Sequence, residues 1–169
     1  MTSAVKHTSF DEYQNTLSVI LKEIDDSLMQ IKNRQKNFPV WKDYKNYQDF
    51  IREVERTALK RAAKELGIGD TTIRDRWHVL TLPTPVYNAL ESGDISFSKA
   101  KFMTAIHFDF ENDNDVAVAE EIVVEIKGGL NNPQIKDLVE KKSAQVWNKK
   151  DIVVQRLVEQ HGMTEESKW

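Results

Sequence analysis

Residues 44–66 contain neither glycine nor proline, and their apolar side chains recur at the three- and four-residue spacing of an α-helix. Gly67 follows directly, and glycine commonly ends helices because it adopts the left-handed backbone conformation without strain. After a short turn, helical spacing resumes from Thr71 to Leu80, with Gly69 or Asp70 as the expected N-cap. The pattern predicts one long helix, or two nearly collinear helices, followed by a tight turn and a shorter helix.

This arrangement has the pattern of a helix-turn-helix, a motif whose second helix enters the major groove of DNA. Ala63 is small enough to let two helices approach closely, and Ile68 is expected to fill the angle between them. In the second helix, the predicted buried stripe is Ile73, Trp77 and Leu80. The outward positions near the start of that helix are polar: Thr71, Thr72, Arg74, Asp75 and Arg76. Hydroxyl and guanidinium groups at such positions can reach phosphates and guanine edges.

The segment that follows resembles ParB-type chromosome and plasmid partition proteins. That family continues with Leu-Pro, a short helix, a Gly-x-Leu/Ile-Ser turn and a helix with a buried alanine. The matching residues here are Leu82-Pro83, Gly93-Asp94-Ile95-Ser96 and Ala100. Farther along, Gly129-Leu130 and a helix containing Leu138-Val139 resemble the end of the central DNA-binding domain of that family. The resemblance covers roughly residues 48–142.

The resemblance implies an all-α helix-turn-helix bundle that binds a palindromic site on double-stranded DNA as a pair of protomers. In that family the second helix of the motif contacts bases, and later helices add supporting contacts. The implied DNA-binding residues are Thr71, Thr72, Arg74, Arg76, Lys99 and Lys101. Full-length members also have an N-terminal domain that binds CTP, but nothing before residue 48 resembles it. Neither a CTP switch nor another cofactor is therefore expected. The implied roles are plasmid or chromosome partition, or transcriptional regulation.

Two carboxylates on the second helix, Asp70 and Asp75, depart from the family pattern, in which neutral polar groups are more common. Asp70 can serve as a cap, whereas Asp75 can repel phosphate or accept a hydrogen bond from a cytosine amino group. The first helix of the motif also lacks a clear cap, because Thr57 falls one residue early. These departures favour an alternative function as a helical protein–protein adaptor that keeps the motif as a scaffold. The basic residues near the motif oppose that alternative.

The N-terminal segment from Phe10 to Ile31 is predicted to form an amphipathic helix with Ser9 as its N-cap. Its expected apolar stripe consists of Leu17, Leu21, Ile24, Leu28 and Ile31. Such a stripe packs on its own domain, forms a homodimer coiled coil or binds a partner protein. The pair Phe38-Pro39 is expected to break the helix, because proline disfavours helical geometry in the residue before it.

Three segments are therefore predicted along the chain. Residues 1–38 form the N-terminal helix, for oligomerisation or partner binding, and residues 39–142 form the ParB-like domain. Residues 143–169 form a C-terminal helix and a polar tail. That last helix is expected to include Val146, Trp147 and Ile152 and to end at Gly162.

Charge is distributed unevenly along the chain. The formal net charge is −3, yet residues 109–125 alone contain seven acidic residues and no lysine or arginine. The segments on either side are mildly basic, as expected for a DNA-binding face beside a solvated acidic face. The acidic run superficially resembles a calcium loop, but Asn114 stands where such a loop requires glycine at its sixth position. The run therefore predicts the capped start of a helix.

Composition excludes several classes of function. The chain has no cysteine, so disulfides, thiolate zinc sites and thiol nucleophiles are excluded. Its four histidines are widely separated, and it has neither a glycine-rich phosphate loop nor a recognisable nucleophile motif, so neither a metal site nor an enzyme is expected. Apolar runs reach only a few residues, far short of the roughly 20 that span a bilayer. The expected location is the cytoplasm of a prokaryote, on the nucleoid or a plasmid.

Overall fold

The computed structural model describes residues 9–34, 44–148 and 150–166, and regular structure within these ranges is entirely helical. The all-α fold that the ParB resemblance implies is confirmed. The predicted break at Phe38-Pro39 lies outside the described residues. None of the described helices combines the length and the apolar character needed to cross a lipid bilayer. The helices are α1 (Phe10–Arg34), α2 (Tyr47–Leu66), α3 (Asp70–Leu80), α4 (Thr84–Ser92), α5 (Phe97–Ala100), a 3-10 helix (Lys101–Ala105), α6 (Asp113–Lys127), α7 (Asn132–Ser143) and α8 (Ile152–Gln160).

The chain divides into two compact units. Of the described residues, the first unit comprises residues 9–15, 75–148 and 150, and the second comprises residues 16–34, 44–74 and 151–166. The division passes through α1 and α3. The three-segment division drawn from the sequence remains a prediction.

In the first unit, α4 to α7 and the 3-10 helix share an apolar core. The fully buried members include Ala100, Met103, Ile122 and Ile135, so the alanine that the ParB resemblance singles out lies in the core. The local sequence fixes where these helices begin and end. At the start of α7, for example, the side chain of Asn131 accepts from the N–H of Gln134 at 3.0 Å, and the Gln134 side chain accepts from the N–H of Asn131 at 2.9 Å. This capping box satisfies two donors that the first turn would otherwise leave unpaired.

The acidic run forms the capped start of α6, as its sequence predicts. The side chain of Asn112 accepts from the N–H of Asp115 at 3.1 Å. The Asp115 carboxylate is 2% exposed and accepts from the N–H of Asp109 at 2.7 Å and from the Asn148 side chain. Among the described residues, no group of three or more His, Asp or Glu side chains is placed to hold a metal ion. The carboxylates nearest the helix N-terminus therefore bind backbone and amide groups of this chain.

In the second unit, α2 packs against α8. The Tyr47 hydroxyl donates a buried hydrogen bond of 2.8 Å to the carbonyl of Met163, and burial raises the pKa of Tyr47 to about 12. The second part of α1 joins this unit, because Asp25 lies 2.7 Å from His161 and the Lys32 ammonium donates to the His161 carbonyl at 3.4 Å. The C-terminal residues thus hold α1 and α2 in one unit.

The buried face of α1 differs from the predicted stripe. Ile24 and Leu28 are buried as expected, but Leu21 is 39% exposed and Leu17 is half-buried. Fully buried Ile20 occupies the adjoining row instead, together with buried Thr16 and Ser27. The predicted N-cap is correct, since the Ser9 hydroxyl accepts from the N–H of Glu12 at 3.3 Å. Because Ile24 and Leu28 are buried within the protomer, a coiled coil between protomers cannot use the predicted stripe without opening this unit.

The start of the C-terminal helix was also misplaced by the sequence pattern. Val146 and Trp147 lie outside any helix, and α8 begins only at Ile152. Asp151, directly before it, has a left-handed backbone with φ 66°, so the chain turns there and does not continue a helix from α7. The predicted end is correct, since Gly162 follows α8 with φ 80°. Trp147 is 88% exposed.

Candidate nucleic-acid interface

The turn between α2 and α3 has the geometry that its glycine predicts. Gly67 is left-handed with φ 68°, and the N–H of Ile68 donates back to the carbonyl of Ala63 at 3.1 Å. The first bond of α3 runs from the N–H of Ile73 to the carbonyl of Gly69 at 3.0 Å. Gly69 is therefore in the N-cap position, and Asp70 is the first residue of the helix. The sequence alone is compatible with either residue as the cap.

The first helix of the motif is the C-terminal part of α2 and has no start of its own. α2 is continuous from Tyr47 to Leu66, and its N-cap is Asn46, whose side chain accepts from the N–H of Asp49 at 2.9 Å. Thr57, considered as a cap from the sequence, lies inside the helix and donates to the Glu53 carboxylate at 3.3 Å. The missing cap is thus explained by the length of the helix.

The predicted inner stripe of α3 is buried, and Val79 is buried in addition to it. Ile73 and Trp77 are each 1% exposed and Leu80 is 4% exposed. At about 100° per residue, the direction opposite this stripe belongs to Thr71, Asp75 and His78, with Thr72 and Arg74 on its flanks. Thr71, Thr72, Arg74 and His78 are exposed, whereas Asp75 and Arg76 are half-buried. The predicted outward residues are therefore outward, except that Arg76 lies nearest the buried side.

Asp75 forms an ion pair inside the first unit. Its carboxylate lies 2.9 Å from the ammonium of Lys101, which begins the 3-10 helix. Both side chains remain partly exposed, so the pair is reachable by solvent and contributes at most about 1 kcal/mol to stability. The negative charge that departs from the family pattern is thereby balanced by one of the predicted DNA-binding lysines.

Lys99 is engaged with the backbone. Its ammonium donates to the carbonyl of Leu130 at 3.3 Å, which links α5 to the turn before α7. The side chain is half-buried. An ammonium has three donors, so this bond leaves capacity for a phosphate. Lys99 and Lys101 both belong to the first unit, like Asp75 and Arg76.

Arg76 lies against an aromatic cluster that the sequence did not reveal. Its guanidinium carbon is 5.3 Å from the centre of the Tyr13 ring. Tyr13 in turn stacks on Phe97, with ring centres 4.6 Å apart and planes 16° apart. Phe10 and Gln14 contact Tyr87 beside it, by an edge-to-face ring pair and a 3.2 Å hydrogen bond. The first turns of α1 therefore hold one flank of α3. Only one indication of this contact was visible in the sequence: Phe10 and Tyr13 lie at helical spacing ahead of the other apolar residues of α1.

The side chain of Arg74 lines a cleft in the second unit, between α2 and the N-terminal half of α3. The cleft has a volume of about 420 Å³. Its other lining residues are Arg52, Glu55, Arg56, Leu59, Lys60, Asp70 and Ile73. Three of these are basic residues of α2 at four-residue spacing, which places them on one face of the helix. That spacing was visible in the sequence, but its position beside α3 was not.

Two arginines of the cleft are held by neighbouring carboxylates. Arg52 lies 3.0 Å from Asp49, and Arg56 donates through Nε to Glu53 at 3.1 Å. This hydrogen bond raises the pKa of Arg56 and lowers the pKa of Glu53. Both guanidiniums are more than half exposed. The pairs orient the two side chains while leaving donors available to a ligand.

Comparison with known protein families gives one match. A family model described as the ParB HTH domain matches residues 42–145, more than half of the 169-residue chain. The matched range contains the helices from α2 to α7. No curated protein and no solved structure matches the chain.

Proposed function

Because this chain belongs to the ParB helix-turn-helix domain family, we propose that it binds double-stranded DNA sequence-specifically and reads the major groove with α3. One observation carries the proposal. The N-terminal half of α3 presents exposed polar side chains while Ile73 and Trp77, on the opposite side, are buried. A helix fixed in this way can enter a groove without exposing its apolar face.

The residues proposed to contact DNA are Thr71, Thr72, Arg74 and Arg76 of α3, Lys99 of α5 and Lys101 of the 3-10 helix. Arg76 is supported by the Tyr13 ring, which reduces the number of conformations that its guanidinium must give up on binding. A preorganised guanidinium is suited to the paired hydrogen bonds that guanine accepts. Asp75 is paired with Lys101, and this pair offsets the repulsion that the Asp75 charge would exert on phosphate.

We propose that two protomers bind an inverted repeat. Two recognition helices on one duplex must lie about 34–36 Å apart to enter successive major grooves. Ile24 and Leu28 of the predicted stripe of α1 are buried within the protomer, so the homodimer contact is assigned to another surface. Partition and transcriptional regulation both use such readout. Either role would place the protein on the nucleoid or a plasmid, and neither requires catalysis.

The second candidate is a protein adaptor, and it is favoured by one observation. Trp147 is 88% exposed on the segment between α7 and α8, and large exposed aromatic side chains are common in protein interfaces. An adaptor would use this surface and keep the helix-turn-helix as a scaffold. A DNA-binding protein can also use Trp147 to contact a partner, so the two candidates differ in their behaviour toward duplex DNA.

The test is the binding of paired variants to a preferred duplex, selected from a random pool, and to a random duplex. Arg76→Ala is expected to cost about 1–3 kcal/mol on the preferred site and to relax the preference at one position. Thr72→Ala tests the exposed flank of α3 in the same way. Trp147→Ala is the control, since its side chain projects from a segment outside the matched family range. If Arg76→Ala and Thr72→Ala both retain the full preference, α3 does not read the sequence.

A further inference from the structure

We propose that the cleft between α2 and α3 binds the phosphate backbone of the duplex whose groove α3 reads. The proposal rests on the proposed function and adds residues to it: Arg52, Arg56 and Lys60 of α2, with Arg74 of α3. All four belong to the second unit. It also assigns Arg74 to phosphate, so base reading falls to Thr71, Thr72 and Arg76.

The position of the cleft favours a sugar-phosphate strand as its occupant. In a helix-turn-helix, the second helix inserts its N-terminal half into the groove while the helix before the turn crosses the backbone. The cleft is formed by these two elements, and its α3 side consists of Asp70, Ile73 and Arg74 from that N-terminal half. A strand bordering the groove therefore passes where the cleft lies.

The basic residues match a linear anion. Arg52, Arg56 and Lys60 follow one another at four-residue spacing, so they form a row about 12 Å long on one face of α2. Arg74 faces them from α3. A row of cations along a groove suits a chain of phosphates better than a single compact anion, because successive charges can be neutralised together.

The charge balance of the cleft remains positive. Its lining contains four cations and two carboxylates, those of Glu55 and Asp70. The carboxylates that hold Arg52 and Arg56, which are Asp49 and Glu53, are not among the lining residues. Leu59 and Ile73, 7% and 1% exposed, contribute apolar contacts to the lining. A low-dielectric surface beside the cations strengthens their attraction to phosphate.

The experiment measures affinity against salt concentration for the full chain, on the preferred duplex and on a random duplex. The variants are Arg52→Ala and Lys60→Ala, and the matched control is Arg61→Ala, an exposed cation of α2 outside the cleft. All three changes place alanine on an exposed helix surface, so they preserve the fold. Melting curves and circular dichroism verify this for each protein.

Each cleft variant is expected to lower the slope of log affinity against log salt by about 0.9. Between 50 and 200 mM salt, wild type then loses about 3.5-fold more affinity than the variant. The loss of affinity should be equal on both duplexes, because phosphates carry no sequence information. Arg61→Ala should keep the wild-type slope.

Wild-type slopes for both cleft variants would overturn the proposal while leaving the proposed function intact. So would a slope change in Arg61→Ala as large as that in Lys60→Ala, since the effect would then be one of general charge. A loss confined to the preferred duplex would assign these residues to base reading and overturn the phosphate assignment. If wild type binds neither duplex at low salt, the proposed function itself fails, and the cleft proposal fails with it.

Discussion

Replacing Trp77 with alanine tests the orientation of α3 on which the DNA-binding face depends. Trp77 is 1% exposed and is the largest fully buried side chain of the described residues. Deleting a buried aromatic side chain of this size costs about 3–5 kcal/mol, because apolar contacts are lost and a cavity remains. Whole domains are stable by only about 5–15 kcal/mol. In a chain of this length, each kcal/mol lowers the Tm by about 2–4 °C, so a fall of about 6–20 °C is expected.

Thermal unfolding followed by far-ultraviolet circular dichroism measures this loss. Trp147→Ala is the matched control, because Trp147 is 88% exposed and surface substitutions usually change stability by less than about 0.5 kcal/mol. The two variants delete the same side chain from the same protein. A wild-type Tm for Trp77→Ala would place that ring on the surface and rotate α3 away from the orientation described above. Equal losses in the two variants would refute the contrast in burial.

Three further predictions concern the contacts around α3 and the buried tyrosine of α2. Tyr13→Ala should weaken the preference for the base that Arg76 reads, because the guanidinium loses the aromatic ring beside it, whereas Tyr13→Phe should keep that preference. Competition between preferred and random duplexes measures both variants. Equal preferences in the two variants would show that the ring does not support Arg76. Asp75→Asn should tighten binding to all duplexes, since it removes a negative charge and frees the Lys101 ammonium to bind phosphate. Fluorescence anisotropy measures the affinity. Weaker binding of the variant would instead assign Asp75 to base reading. The pKa of Tyr47 rises from 10.0 to about 12 on folding, so its stabilising effect is complete below pH 10 and is lost as the pH rises toward 12. Tyr47→Phe should therefore reduce the fall in the free energy of unfolding between pH 10 and 12, measured by urea unfolding. An unchanged fall in the variant would show that other groups cause it.

The local parts of the fold were predictable because their causes are local. The uninterrupted helical spacing before Gly67, and the left-handed conformation that glycine allows, predict the end of α2 correctly. The inner stripe of α3 follows from the same periodicity, since its apolar residues are spaced for one face. Side chains of Ser9 and Asn112 cap α1 and α6 within three residues, so they too depend only on neighbouring sequence.

Tertiary packing decides what the spacing left open. Along α1, the rows containing Ile20 and Leu21 are both compatible with a helix, and only the surface that α1 meets selects Ile20 for burial. The start of α8 depends on a left-handed Asp151, a conformation that aspartate adopts more readily than most residues but does not require. Periodicity therefore predicts that these helices exist, whereas contacts with the rest of the chain determine which face is buried and where each helix begins.

For the candidate site, too, the sequence predicted local features but not the contacts between distant segments. The residues of α3 were identified from the sequence because they belong to one helix. Their partners are distant in the chain: Tyr13 lies beside Arg76, and Lys101 pairs with Asp75. The basic face of α2 was visible as a spacing, yet nothing local indicated that it would form a cleft with Arg74. Contacts between segments so far apart follow from the completed fold.

Selection of bound sequences from a random pool of duplex DNA tests the central claim most directly, because it assumes neither a target site nor a biological role. The full chain is incubated with the pool at low salt, and the retained duplexes are sequenced over successive rounds. Readout by α3 in two protomers predicts a short inverted repeat whose half-site centres lie about 10–10.5 base pairs apart, or a multiple of that spacing. Failure of the folded protein to retain any duplex above background at low salt would contradict DNA reading by α3.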